Sequence, residues 1–114
     1  MSETTNDARA LYKQGFQHFA KGELEPAIAL YRRALEADAT LAIAWNGLSM
    51  ALAQAGDFDA AIEAAQRLVE LEPDEPLSHT NLSRILMQKG DIPAAEDARG
   101  AAMRLQMKPG GGAR

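Results

Sequence analysis

The sequence contains no cysteine and few of the residues that favour β-strands. The absence of cysteine excludes disulfide bonds, cysteine-based zinc sites and thiol nucleophiles. Valine, isoleucine and threonine together occur 10 times, whereas alanine occurs 23 times. Because β-branched residues favour strands and alanine loses little on entering a helix, the composition predicts an all-α fold.

The chain also lacks an excess of positive charge and a long apolar run. Its 12 Lys and Arg against 16 Asp and Glu give a net charge of −4 over 114 residues. An acidic chain has no general attraction for phosphate backbones, so no nucleic-acid partner is expected. No stretch approaches the roughly 18 apolar residues of a membrane span, and residues 1–7 are polar, unlike a signal peptide. We therefore expect a cytoplasmic protein without membrane association.

A repeat with a period of 34 residues runs through the chain. One such series could arise by chance in an alanine-rich sequence, but five series in one register indicate a true repeat. These series are Gly22, Gly56 and Gly90; Ala27, Ala61 and Ala95; Leu24, Phe58 and Ile92; Leu35, Val69 and Met103; and the small residues Gly15, Ser49 and Ser83.

Each unit predicts two helices joined by a short turn. In the second unit Trp45, Leu48, Ser49 and Leu52 share one helical face, and Gly56 follows as a stop signal. The predicted helices span 8–21, 24–37, 42–55, 58–71, 76–89 and 92–106. The predicted organisation is a flexible N-terminus at 1–7, repeats at 8–41, 42–75 and 76–107, and a flexible tail at 108–114.

The repeat resembles the tetratricopeptide repeat family. The resemblance lies in the 34-residue period, in W-x-x-L-S-x-x-L at 45–52 and in A-x-A-G-D-F-D-A-A-I at 53–62. It implies an all-α solenoid of three helix-turn-helix units in a right-handed superhelix, whose concave face is lined by the first helix of each unit. Four positions depart from the family pattern: Gln14, His18, His79 and Arg99.

The same resemblance implies which side chains would line a binding groove. They are Arg9, Tyr12, Phe16 and Phe19; Ile43, Asn46, Met50 and Gln54; and Leu77, Thr80, Asn81, Arg84, Met87 and Gln88. Spacing independently places Tyr12, Phe16 and Phe19 in one stripe of the first helix. An aromatic stripe can also pack in the core, so either location remains open for Phe16 and Phe19.

One family subtype grips the C-terminal carboxylates of Hsp70 and Hsp90 with two lysines, two asparagines and an arginine. The corresponding positions hold Tyr12, Phe16, Gly47, Leu77 and Asn81. Only Asn81 has a suitable side chain, and a carboxylate needs charge-assisted donors to offset its desolvation. We therefore do not expect this subtype.

The sequence offers no set of residues for catalysis or metal binding. The two histidines, His18 and His79, lie in different units, and no serine has G-x-S-x-G context. The recurring glycines are too far apart to form a phosphate-binding loop. We expect a protein that is not an enzyme and has no cofactor and no metal.

The leading expectation is an adaptor that binds a peptide or a helix of a partner protein in its groove. A second possibility is a structural scaffold that self-associates through Ala101, Met103 and Leu105 at its last helix. A third is a small chaperone for a secreted client.

Overall fold

The computed structural model describes residues 2–107 of the chain, with side chains for 7–107. This part is entirely helical: α1 (Ser2–Ala20), α2 (Leu24–Ala37), α3 (Ala42–Gln54), α4 (Phe58–Leu71), α5 (Pro76–Lys89) and α6 (Ile92–Met107). The number and order of the predicted helices are confirmed. The predicted tail at 108–114 lies outside the described residues.

The start of the first helix differs from the expectation. It begins at Ser2 rather than near residue 8, so residues 2–7 are helical instead of forming a separate segment. The segment contains neither glycine nor proline, and its polar composition therefore does not stop the helix. Its lack of apolar periodicity explains why sequence patterning missed it.

The turn within each repeat is closed by a glycine in the left-handed backbone conformation. Gly22, Gly56 and Gly90 have φ values of 81°, 87° and 99°. At the third turn, the N–H groups of Gly90 and Asp91 both donate to the carbonyl of Leu86 at 3.0 Å. A side chain is strained at such φ values, so glycine is favoured at this helix terminus.

The helix that follows each of the last two turns is capped by an aspartate. Asp57 Oδ1 accepts from the N–H of Ala60 at 3.4 Å, and Asp91 Oδ1 accepts from that of Ala94 at 3.3 Å. These bonds satisfy N–H groups that have no partner within the helix. The predicted role of Asp57 as a helix cap is confirmed.

We call α1, α3 and α5 the A helices and α2, α4 and α6 the B helices. Each helix packs against the next along the chain, and α1 also contacts α3. The core lies between the two sets, with Tyr31 the largest fully buried side chain. None of the helices within Ser2–Met107 has the length and apolar character needed to cross a membrane.

Small residues allow the A helices to approach Tyr31 closely. A Cβ atom added to Gly15 would lie 2.9 Å from carbons of the Tyr31 ring, and one added to Gly47 would lie 2.8 Å from Tyr31 Cζ. Real side chains do not pack at such distances, so α1 and α3 can both pack against this ring only through glycine.

The departure at His79 preserves a contact made by the residue one repeat earlier. Trp45 Nε1–H donates to the carbonyl of Ala39 at 2.7 Å, and His79 Nε2 lies 2.8 Å from the carbonyl of Pro73. Since a carbonyl can only accept, His79 carries its proton on Nε2 in this contact. Both rings thus tie an A helix to the loop that precedes it.

Candidate protein-binding face

The exposed side chains of the A helices form one continuous surface, which we call the A-helix face. It contains two large exposed apolar side chains, Phe16 (52% exposed) on α1 and Met87 (45% exposed) on α5. The half-buried Met50 on α3 lies between them in the repeat order. The full set is Tyr12, Phe16, Asn46, Met50, Thr80, Arg84 and Met87.

The aromatic part of this face is fixed by stacking onto the core. The ring centroids of Tyr12 and Tyr31 lie 5.6 Å apart, and those of Tyr12 and Phe16 lie 6.2 Å apart, both in stacked arrangements. Tyr31 is buried, Tyr12 is half-buried and Phe16 is exposed. The three rings therefore connect the core to the surface.

The structure separates the two phenylalanines that sequence reasoning left together. Phe16 is exposed on the A-helix face, whereas Phe19 is half-buried and packs against the main apolar cluster. The seven-residue stripe of Tyr12, Phe16 and Phe19 therefore divides between surface and core.

The middle of the A helices is held by polar contacts. Asn81 Nδ2 donates to Ser49 Oγ at 2.9 Å and to Asn46 Oδ1 at 3.2 Å, and Ser49 Oγ donates to the carbonyl of Asn46 at 2.8 Å. Asn81 is only 5% exposed. It was included among the groove residues, but its amide joins α5 to α3 and is not presented to solvent.

The predicted residues at one end of the A helices line a shallow depression. Ile43 and Leu77 are exposed there beside the carboxylates of Glu72 and Glu75. At the opposite end of the helices, Arg84 is exposed near Met87 and Gln88. Acidic groups thus accompany the apolar side chains at one end of α5, and a cation accompanies them at the other.

The remaining predicted positions, Arg9 and Gln54, are exposed. The side chain and backbone N–H of Thr40 both donate to Asp38, and these bonds lower the pKa of Asp38, to which the charge of Arg9 also contributes. Arg9 is therefore close enough to Asp38 to influence its ionisation. Ala101 and Leu105 are half-buried and Met103 is exposed, so these three do not form a uniform surface.

Burial changes the acid–base properties of the aromatic stack. It raises the pKa of Tyr12, and it raises that of Tyr31 to about 12, with a further contribution from the charge of Tyr12. Both phenols are therefore neutral at physiological pH, which suits a packing role.

Sequence reasoning missed a cation–π contact on the B-helix side. The guanidinium carbon of Arg67 lies 5.5 Å from the centroid of the Trp45 ring. Arg67 lies 22 residues after Trp45, so no short-range pattern reports the pairing. Within 7–107, no group of three His, Asp or Glu side chains is arranged to hold a metal ion.

Sequence models of the tetratricopeptide repeat family match residues 46–110 and 9–40. The chain is a tetratricopeptide repeat protein. No curated protein matches its sequence.

Solved structures confirm the fold of this tetratricopeptide repeat protein. MamA superposes with a TM-score of 0.85 at 24% identity, over 93% of this chain and 62% of the MamA chain. The first TPR of Spaghetti (RPAP3), bound to the HSP90 peptide SRMEEVD, gives 0.84 at 16% identity, over 91% of this chain and 82% of the other. The Yersinia enterocolitica type III secretion chaperone SycD, in complex with a peptide of the translocator YopD, gives 0.81 at 23%, over 88% and 76%. The three share with this chain a solenoid of paired helices.

Proposed function

We propose that this protein is a non-enzymatic adaptor whose A-helix face binds an apolar segment of a partner protein. The observation that carries the proposal is the exposure of Phe16 and Met87 at opposite ends of one surface, with Met50 between them. Large side chains left in water in this way gain free energy when a partner covers them, by about 25 cal/mol per Å² of apolar surface.

The charges beside this face suggest the chemistry of the partner segment. Glu72 and Glu75 border Ile43 and Leu77 at one end, and Arg84 lies beside Met87 at the other. A segment with central apolar side chains, a cation towards the glutamates and a carboxylate towards the arginine would complement both ends. Methionines such as Met50 and Met87 can adjust their conformation to such a segment.

The fold is compatible with this function. The first TPR of Spaghetti (RPAP3) binds an HSP90 peptide and SycD binds a peptide of YopD, and both superpose closely on this chain. This supports peptide binding as a use of the fold, while the partner depends on the side chains. The internal hydrogen bonds of Asn81 argue against carboxylate capture at that position.

The experiment compares partner capture by the full chain and by two variants. Phe16→Glu combined with Met50→Glu places two charges on the A-helix face, whereas Ile92→Glu places one on a similarly exposed apolar residue of α6. Affinity capture from native lysate, with quantitative mass spectrometry, should lose its specific partners with the double variant and keep them with Ile92→Glu. A photo-crosslinking residue at position 50 should join the chain directly to the same partner. Unchanged capture by the folded double variant would contradict the proposal.

A further inference from the structure

The last repeat leaves open the surface that receives a helix in the two earlier repeats. Helix α3 packs on the first repeat against Tyr31, and α5 packs on the second through Asn81, which contacts Asn46 and Ser49. Adding 34 residues to these contact positions identifies Thr80, Ser83 and Arg99 as the corresponding surface on the third repeat.

These residues line a depression of about 510 Å³ between α5 and α6. Its borders also include Arg84 and two exposed methionines, Met87 and Met103. We call this depression, with Thr80, Ser83, Arg84, Met87, Arg99 and Met103 in its lining, the end surface. Among its described lining residues there are two guanidinium groups and no carboxylate.

We propose that the end surface binds an amphipathic helix of a partner protein, in the place of a seventh helix, and that a carboxylate of that helix contacts Arg99. In the second repeat, the position of Arg99 is held by the buried Ala65, and Asn81 of the incoming helix donates to oxygen acceptors. Replacing the alanine with an exposed arginine reverses the preference from a donor to an acceptor. An acidic residue at the Asn81 position of the incoming helix satisfies it, because a guanidinium donates charge-assisted hydrogen bonds to a carboxylate.

The apolar part of the proposed helix follows from the same comparison. Ile85, four residues after Asn81, is buried in the cluster that contains Ala53. One repeat later, the position of Ala53 is held by the exposed Met87. An aliphatic residue four positions after the carboxylate would therefore lie on the same face of the incoming helix and pack against Met87.

A second copy of the chain does not match this surface. Stacked head to tail, its α1 would present Lys13 at the Asn81 position and Gln17 at the Ile85 position. Lys13 would then approach Arg99, and Gln17 would replace the aliphatic contact. Two end surfaces facing each other would bring arginines together. The segment 108–114, K-P-G-G-G-A-R, contains two further cations and no carboxylate.

The test uses two synthetic peptides derived from residues 75–90, which contain α5, each stapled on its outward face to keep it helical. One carries Asn81→Glu and the other carries Asn81→Lys. Fluorescence anisotropy measures their binding to the full chain and to its Arg99→Glu variant. We expect the glutamate peptide to bind the natural chain at least about tenfold more tightly than the lysine peptide, and Arg99→Glu to reverse that order.

Control variants separate this proposal from the proposed function. Arg33→Glu changes an exposed arginine of α2, and Phe16→Glu changes the A-helix face; both should leave the preference for the glutamate peptide intact. Equal binding of the two peptides, or equal losses with Arg33→Glu and Arg99→Glu, would overturn the proposal. Dimerisation in sedimentation velocity that is abolished by Lys13→Glu would also overturn it, since a second copy would then be the occupant. Loss of partner capture with Phe16→Glu and Met50→Glu would not affect this result.

Discussion

The side-chain amide of Asn81 on α5 donates to Ser49 Oγ on α3 across a distance of 2.9 Å. The two residues are separated by 32 positions in sequence and are both buried. Together with the bond to Asn46, this contact joins the second and third repeats through polar groups at a place where the first two repeats are joined by Gly47 and Tyr31. The same family position therefore carries different chemistry at the two junctions.

Removing the Asn81 amide should weaken the junction between the last two repeats. Asn81→Ala leaves the side-chain oxygen of Asn46 without this donor and creates a small cavity, so we expect the free energy of unfolding to fall by about 1–3 kcal/mol. Urea unfolding followed by circular dichroism measures it. Thr80→Ala, at the neighbouring exposed position, is the control and should change stability by less than about 0.5 kcal/mol. Equal effects of the two substitutions would show that the amide does not stabilise the junction.

Alanine should have opposite effects at two helical glycines. In Gly47→Ala the new Cβ would lie 2.8 Å from Tyr31 Cζ, and the crowding should reduce the free energy of unfolding by about 1–3 kcal/mol. In Gly100→Ala the nearest atom is the mobile end of Arg104 at 3.4 Å, so the gain in helix propensity should raise stability by up to about 1 kcal/mol. Thermal unfolding of both variants tests the difference in sign, and destabilisation by both would contradict it.

The fold could be predicted from the sequence because its strongest signals repeat. Glycine stops such as Gly56 and caps such as Asp57 act locally, and their recurrence after 34 residues identified the helices and their order. The start of α1 at Ser2 could not be predicted, because polar helical residues outside the packed repeat carry no apolar pattern.

The candidate site was less predictable because family position does not determine exposure. Phe16 and Phe19 belong to one aromatic stripe, yet only Phe16 is exposed. Asn81 shares its helix with the exposed Arg84, yet its amide is consumed by α3. Which side chain turns inward depends on the residues of the neighbouring repeat, and a pattern within one helix does not contain that information.

The stability of the protein should fall at alkaline pH as Tyr31 ionises. Burial raises its pKa from 10.0 to about 12. A folded-state pKa above the unfolded value contributes stability that is present below pH 10 and is lost as the pH rises through about 12. A difference of this size corresponds to about 3 kcal/mol. Urea unfolding at pH 9 to 12 should show a shallower decline for Tyr31→Phe than for the natural chain.

Tyr12→Phe provides the control for this pH effect. The charge of Tyr12 contributes to the raised pKa of Tyr31, so its removal should lower that pKa while burial keeps it above 10.0. Absorbance at 295 nm reports phenolate formation in the single-tyrosine variant directly. Ionisation of Tyr31 near pH 10 in the folded protein would contradict the burial argument.

The ring nitrogen at the Trp45 position should matter in the third repeat as it does in the second. His79→Phe removes the donor to the Pro73 carbonyl but keeps an aromatic ring, and we expect a loss of about 1 kcal/mol in the free energy of unfolding. His79→Trp supplies the indole N–H that Trp45 uses towards Ala39, so it should restore most of that loss. Trp45→Phe should be the more damaging substitution of the two phenylalanines, because it also removes the larger ring beneath Arg67. Urea unfolding of the three variants measures these differences, and a His79→Phe variant as stable as the natural chain would show that the loop carbonyl does not need this donor.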